Sequence, residues 1–170
     1  IKLITRVQPD FKEYFITFNE DYHGKTHGAL SFTDSENFAS GFHTGIPKEN
    51  VMIVEPGDIE ALKNAIQIKT FGKNKNSIAG VIMEPIQGQT LQIHPEGYLN
   101  EATILCKEND ILILMDEIKV GMGRTGKLFS FFEEKLVPDI LTISKALGGG
   151  KRAIGVMVTS AKLSKKAYGK

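Results

Sequence analysis

Two residues that close apolar runs carry most of the chemistry this sequence offers. Asp116 follows residues 111–115 (ILILM), and Lys145 follows Ile140–Ile143 with only Ser144 between. In parallel α/β sheets the carboxyl ends of strands face the ligand crevice. Side chains alternate along a strand, so Asp116 and Ile118 are expected on one side. A flat heteroaromatic ligand can use both, with the carboxylate paired to a ring nitrogen and the isoleucine packed on the ring. Lys145 stands in an apolar, small-residue setting before Gly148-Gly149-Gly150. A buried lysine is costly to keep charged, so such a setting favours the neutral, nucleophilic amine. One use of that amine is a Schiff base with an aldehyde cofactor. The glycines let the backbone turn sharply and come close. Each residue alone has a plainer reading: Asp116 as a turn cap, Lys145 as a solvated side chain before a flexible turn. Placed on two strands of one sheet, they favour the functional reading.

The elements that must position them follow from periodicity. Tyr14–Phe18, Val51–Val54, Ile78–Met83, 111–115, Ile140–Ile143 and 154–159 read as strands. The run 111–115 is apolar at every position, the pattern of a strand covered on both faces. Residues 58–68 place Ile59, Leu62, Ala65 and Ile66 on one helical face, with Asp58 as N-cap. Residues 97–109 are helical with Leu99, Ala102, Leu105 and Cys106 inward, 129–135 form a short helix, and 163–168 begin another. Residues 21–33 form a loop leading into a small helix, 34–47 are irregular, and 72–77 form a polar turn. The alternation gives an α/β fold with a mostly parallel central sheet flanked by helices.

These residues, read together, resemble the class III aminotransferases, the family of ornithine, acetylornithine, putrescine and 4-aminobutyrate aminotransferases. The resemblance lies in residues 113–129 (ILMDEIKVGMGRTGKLF) and 138–150 (PDILTISKALGGG). Residues 22–33 (YHGKTHGALSFT), 83–88 (MEPIQG) and Pro95-Glu96-Gly97-Tyr98-Leu99 extend it in order along nearly the whole chain. It implies pyridoxal 5'-phosphate as cofactor, bound as a Schiff base on Lys145. Asp116 would keep the pyridine nitrogen protonated, and Tyr22 and Ile118 would sandwich the ring. His23 would lie near the cofactor and Glu84 one layer behind it. The implied fold is the large domain of a fold-type I enzyme, with residues 1–170 a part of it. The implied reaction is transamination from an amine or amino acid to a keto acid, in a cytoplasmic homodimer with sites at the subunit interface. Lys145, once freed from the cofactor, would shuttle the proton. The wording of 95–99 and 167–169 leans toward the putrescine or acetylornithine branch.

The sequence departs from the family at three places. Lys119 stands where glutamine is usual, beside the cofactor's phenolic oxygen, where a cation would favour the phenolate unless the side chain swings into solvent. Gln89 stands where glutamate usually gates an arginine. Ala153 replaces a common proline in what reads as a variable loop. Arg124 reads equally well as an exposed structural residue.

Other classes have less support. Gly121-Met122-Gly123-Arg124-Thr125-Gly126 spells a dinucleotide-binding GxGxxG. It starts several residues after its strand, with Asp116 and Glu117 placed to repel a pyrophosphate. Gly148–Lys151 is no phosphate loop, because Arg152 stands where Ser or Thr would bind magnesium. A non-catalytic relative of the same fold is opposed by the presence of both Lys145 and Asp116. His23, His27, His43 and His94 are scattered and point to no metal site. The net charge of +1 and the dispersed basic residues give no electrostatic case for nucleic acid or an anionic membrane. A hydrophobic fraction of 41% with 24% charged residues fits a globular chain with one real core, and the single Cys106 reads as a core residue in a reducing compartment. The opening Ile1-Lys2-Leu3-Ile4 and the closing Lys165–Lys170 both read as cuts through helices. The family's phosphate-binding loop would then precede Ile1, and its substrate-binding arginine and partner-subunit threonine would follow Lys170. The chain alone is therefore expected to be inactive.

Overall fold

A computed structural model describes residues 1–34, 38, 40–42, 44–71 and 75–169. Among these described residues, thirteen helices and strands are defined in chain order. They are α1 (Lys2–Val7), β1 (Tyr14–Phe18), α2 (His27–Leu30), β2 (Val51–Val54), α3 (Ile59–Ile68), β3 (Thr70–Phe71), β4 (Lys75–Asn76), β5 (Ile78–Met83), α4 (Tyr98–Glu108), β6 (Leu112–Asp116), β7 (Ile140–Ile143), β8 (Val156–Thr159) and α5 (Ala161–Tyr168). Short 3-10 turns stand at Lys48–Asn50, Ser130–Glu134 and Lys145–Gly148.

Six strands form one sheet in the order β2-β1-β5-β6-β7-β8. Every neighbouring pair is parallel except β7 and β8, which run antiparallel. The central strands β5 and β6 are apolar along their length because both faces are covered. Ile16, Phe18, Val81, Met83, Ile113 and Met115 pack toward α3, α4 and the Ser130–Glu134 turn. Phe15, Ala79, Ile82, Leu114 and Ile140 pack with Leu3, Ile4 and Ala167 of α1 and α5. Asp58 caps α3 as its spacing predicts, accepting from Ala61 N at 2.9 Å. Cys106 is fully buried on α4, and burial pushes its thiol up to about 12.

Two expectations shift. The chain from 129 to 135 is a 3-10 turn. Of the polar turn expected at 72–77, Lys75–Asn76 form β4, paired antiparallel with β3, and residues 72–74 lie outside the described residues. The irregular stretch 34–47 lies partly outside them too, as does His43. The last strand returns antiparallel, because the link from β7 contains only a 3-10 turn and no crossover helix, which a parallel return needs. No helix among the described residues is long and apolar enough to cross a membrane.

Candidate active site

β6 and β7 are adjacent and parallel, and Asp116 pairs in register with Thr142. Lys145 lies three residues beyond Thr142. The acid and the amine therefore leave the same end of two neighbouring strands. Both line one cavity of about 370 Å³, together with Tyr22, His23, Glu84, Ile118 and Lys119. All seven sequence-derived candidates meet there.

Asp116 is buried, 6% exposed. Its Oδ1 accepts from Ile118 N at 3.0 Å, and its Oδ2 lies 2.9 Å from His23 Nδ1. β6 ends at Asp116, so Ile118 reaches the cavity through this side-chain-closed turn and not by strand alternation. Asp116 thus caps the turn, as its plainer reading expects, and also lines the cavity. His23 is bracketed by a second acid, with Nε2 3.3 Å from Asp21 Oδ2. That contact brings charges together without forming a hydrogen bond, since neither atom has a hydrogen-bond partner. Burial presses the imidazole toward its neutral form, but the hydrogen bond to Asp116 and the two neighbouring carboxylates outweigh it and raise its pKa to about 10.

Glu84 braces two loops. Its Oε2 accepts from Tyr22 N and its Oε1 from Gly88 N, each at 2.9 Å. A Cβ at position 88 would lie 2.7 Å from Glu84 Oε1, so a larger residue there would push that carboxylate aside. Burial pushes the carboxyl up to about 7, against the pull of those two amides. Glu84 also lines the cavity itself, closer than the layer behind it that the resemblance implies. The Tyr22 ring stands edge-on to Phe38, with centroids 5.4 Å apart, as part of the apolar wall.

The two lysines differ. Lys119 Nζ donates to Gly88 O, and Arg124 Nη1 donates to Lys119 O, so Lys119 is tied down and not free in solvent. Lys145 is exposed, which corrects the expectation of a desolvated amine. It starts the Lys145–Gly148 turn with φ +44°, a left-handed conformation that costs a non-glycine residue roughly 1–2 kcal/mol.

Two further buried acids support the site, Glu117, which the sequence offered only as a charge that would repel a pyrophosphate, and Asp21, which it did not single out. Glu117 is fully buried, accepting from Ser130 Oγ at 2.6 Å and Phe131 N at 3.2 Å, and burial raises its pKa. Its contacts to Ser130 and Phe131 place it in the helical layer, away from the cavity. Asp21 is fully buried as well, and its Oδ1 accepts from Gln87 Nε2 at 3.0 Å. The only sequence signal for it is its place two residues before His23. The GxGxxG run closes on itself instead of opening a helix. Met122 N and Gly123 N both donate to Leu128 O, and a 3-10 turn follows. A dinucleotide's pyrophosphate would find no helix N-terminus there.

The class-III aminotransferase family model matches residues 1–168. An ornithine aminotransferase of Geobacillus sp. (strain WCH70) is 43% identical over 145 residues, 85% of this chain and 34% of its own length. Ornithine aminotransferase 1 of Staphylococcus aureus (strain MRSA252) is 40% identical over 146 residues, again 85% of this chain and 34% of its own. The chain thus spans about a third of the length of these curated relatives. Among solved structures, the ornithine aminotransferase of Toxoplasma gondii ME49 superposes with a TM-score of 0.84 at 27% identity, covering 97% of this chain and 38% of that one. The N-acetylornithine aminotransferase of Stenotrophomonas maltophilia K279a gives 0.73 at 28% identity, covering 98% and 38%.

Proposed function

We propose the function from one premise: this chain belongs to the class-III aminotransferase family. The protein that carries it is a pyridoxal 5'-phosphate-dependent aminotransferase, moving an amino group from an amine or amino acid to a keto acid. Residues 1–170 supply part of its large, cofactor-binding domain. The observation that carries the reading is the meeting of Asp116 and Lys145 in one cavity, from adjacent parallel strands.

The residues fit the cofactor. The cavity volume suits a small aromatic ligand. A carboxylate lies at its floor, with apolar groups of Tyr22 and Ile118 beside it and a primary amine at its edge. Asp116 would pair with the ring nitrogen, Tyr22 and Ile118 would hold the ring, and Lys145 Nζ would be the covalent attachment point. When bound, pyridoxal phosphate supplies an aldehyde that condenses with amines and a ring that withdraws electrons from the substrate carbon.

The remaining work falls to the chain's own groups. Asp116 meets two nitrogen partners, Ile118 N and His23 Nδ1, and its carboxylate would pair with a protonated nitrogen opposite it. Lys145, exposed and flexible, reaches into the cavity as nucleophile and then moves the substrate's proton at its Nζ. Lys119 fixes the Gly88 loop and places a positive charge at the cavity wall. Family membership also supports a homodimer in the cytoplasm, acting on amino-acid-sized donors.

Intact protein freed of cofactor and titrated with pyridoxal 5'-phosphate is expected to turn yellow, and to transfer nitrogen from an amine donor to a keto acid. A protein that stays colourless at saturating cofactor contradicts the reading.

A further inference from the structure

We propose that Asp21 is a positioning residue that holds His23 as a fixed cation against Asp116, so that Asp116 faces the cavity as an unprotonated carboxylate. This rests on the cofactor reading above and extends it to a residue outside the cavity lining.

Three side chains stand in line and are almost fully buried: Asp21 is 1% exposed, His23 5% and Asp116 6%. His23 Nδ1 meets Asp116 Oδ2 at 2.9 Å, while Nε2 faces Asp21 Oδ2 at 3.3 Å. A buried carboxylate is costly unless a positive group compensates it. Among the described residues, the only side-chain cation in contact with Asp21 is His23. Its other partners are neutral. Gln87 Nε2 donates to Asp21 Oδ1 at 3.0 Å and to Asn19 O at 2.6 Å, and Thr90 Oγ1 donates to Gln87 Oε1 at 2.6 Å. This polar chain fixes the acid's position without neutralising its charge. An imidazole between two buried carboxylates is therefore held protonated. The elevated His23 pKa agrees with that arrangement.

The effect passes to Asp116. An imidazolium donor lowers the proton affinity of the carboxylate it contacts more than a neutral imidazole does. A proton shared between Asp116 and a ring nitrogen then stays on the nitrogen. The other charged groups around His23 do not replace Asp21. Glu84 is a third acid close enough to feel the His23 charge, and it does not contact the ring. Lys119 and Lys145 line the same cavity and can only repel the imidazolium.

The test is a pH titration of histidine resonances by NMR on intact, cofactor-free protein, followed by titration with pyridoxal 5'-phosphate. In the wild type His23 stays charged past pH 9. In Asp21→Asn, which keeps the size of the side chain, its midpoint drops by at least one pH unit. The cofactor's dissociation constant rises on the order of tenfold, the equivalent of one such unit. Gln87→Leu, which frees Asp21 without removing its charge, lowers the midpoint less, and it carries the test if Asp21→Asn fails to fold. A wild-type His23 that titrates near its ordinary value, or variants that leave the midpoint unmoved, overturn the pairing. A shifted midpoint with unchanged cofactor affinity overturns the link to Asp116. A wild type that takes up no pyridoxal phosphate overturns the functional reading instead, while the histidine titration still decides the pairing.

Discussion

The two ends of this site are built in opposite ways. At one end Asp116 is buried, receives two N–H groups and rests on His23, which Asp21 braces in turn. At the other end Lys145 is exposed, in a left-handed conformation on a short 3-10 turn. Under the proposed function the acid has to stay in one place, which burial among partners suits, and the amine has to attach, detach and carry a proton, which an exposed side chain suits. In the proposed role Lys145 is not buried in advance by the segment that carries it. The strand end delivers its position, and its reactivity depends on what fills the cavity.

Substitutions at the two ends should separate these roles. Lys145→Ala has the largest expected effect, a fall in kcat of about 10³-fold or more, by steady-state assay of intact protein. Stability should change by less than about 0.5 kcal/mol in urea, because the side chain is exposed. Asp116→Ala should cost stability as well as activity. It strips one anion from buried His23 and leaves Ile118 N without its acceptor, costing about 4 kcal/mol of unfolding free energy in the same denaturation. If both variants cost equal stability, the contrast is wrong.

Glu84 gives a pH-dependent version of the same test. Its carboxyl holds a proton more tightly folded, at about 7, than unfolded, at about 4.5. Its contribution is full below pH 4.5 and is lost as pH rises through 7, amounting to at most about 3 kcal/mol. Glu84→Gln should flatten the stability profile across that window. The His23 contribution has the same sign but is lost higher, as pH rises toward about 10. Asp58→Ala, far from the cavity, marks the small end of the scale. It removes the α3 cap, costs about 1 kcal/mol and should leave turnover unchanged.

Local signals carried much of this in the sequence. The all-apolar run before Asp116 announced a doubly covered strand, and the i, i+3, i+4 pattern after Asp58 announced α3. Asp116 and Lys145 were legible because strand ends in a parallel sheet share one edge. What depended on distant partners was not. Glu117 finds Ser130 thirteen positions away, and Asp21 finds Gln87 across sixty-six. No spacing rule links such pairs. Lys145 was expected to be buried because its neighbours are apolar, but Ala146 and Leu147 are only partly covered on their turn. The Val156–Thr159 strand was legible as β structure but not in direction. Its Val156, Met157 and Val158 are 39%, 45% and 46% exposed, an edge far less covered than β5 or β6.

Two amines line the cavity, and only one is free. Reduction of the cofactor-loaded intact protein with borohydride, followed by peptide mass mapping, tells them apart. The account predicts a pyridoxyl group on Lys145 and none on Lys119, whose Nζ is tied to Gly88 O. A label on Lys119, or no label on any lysine of this chain, would contradict it.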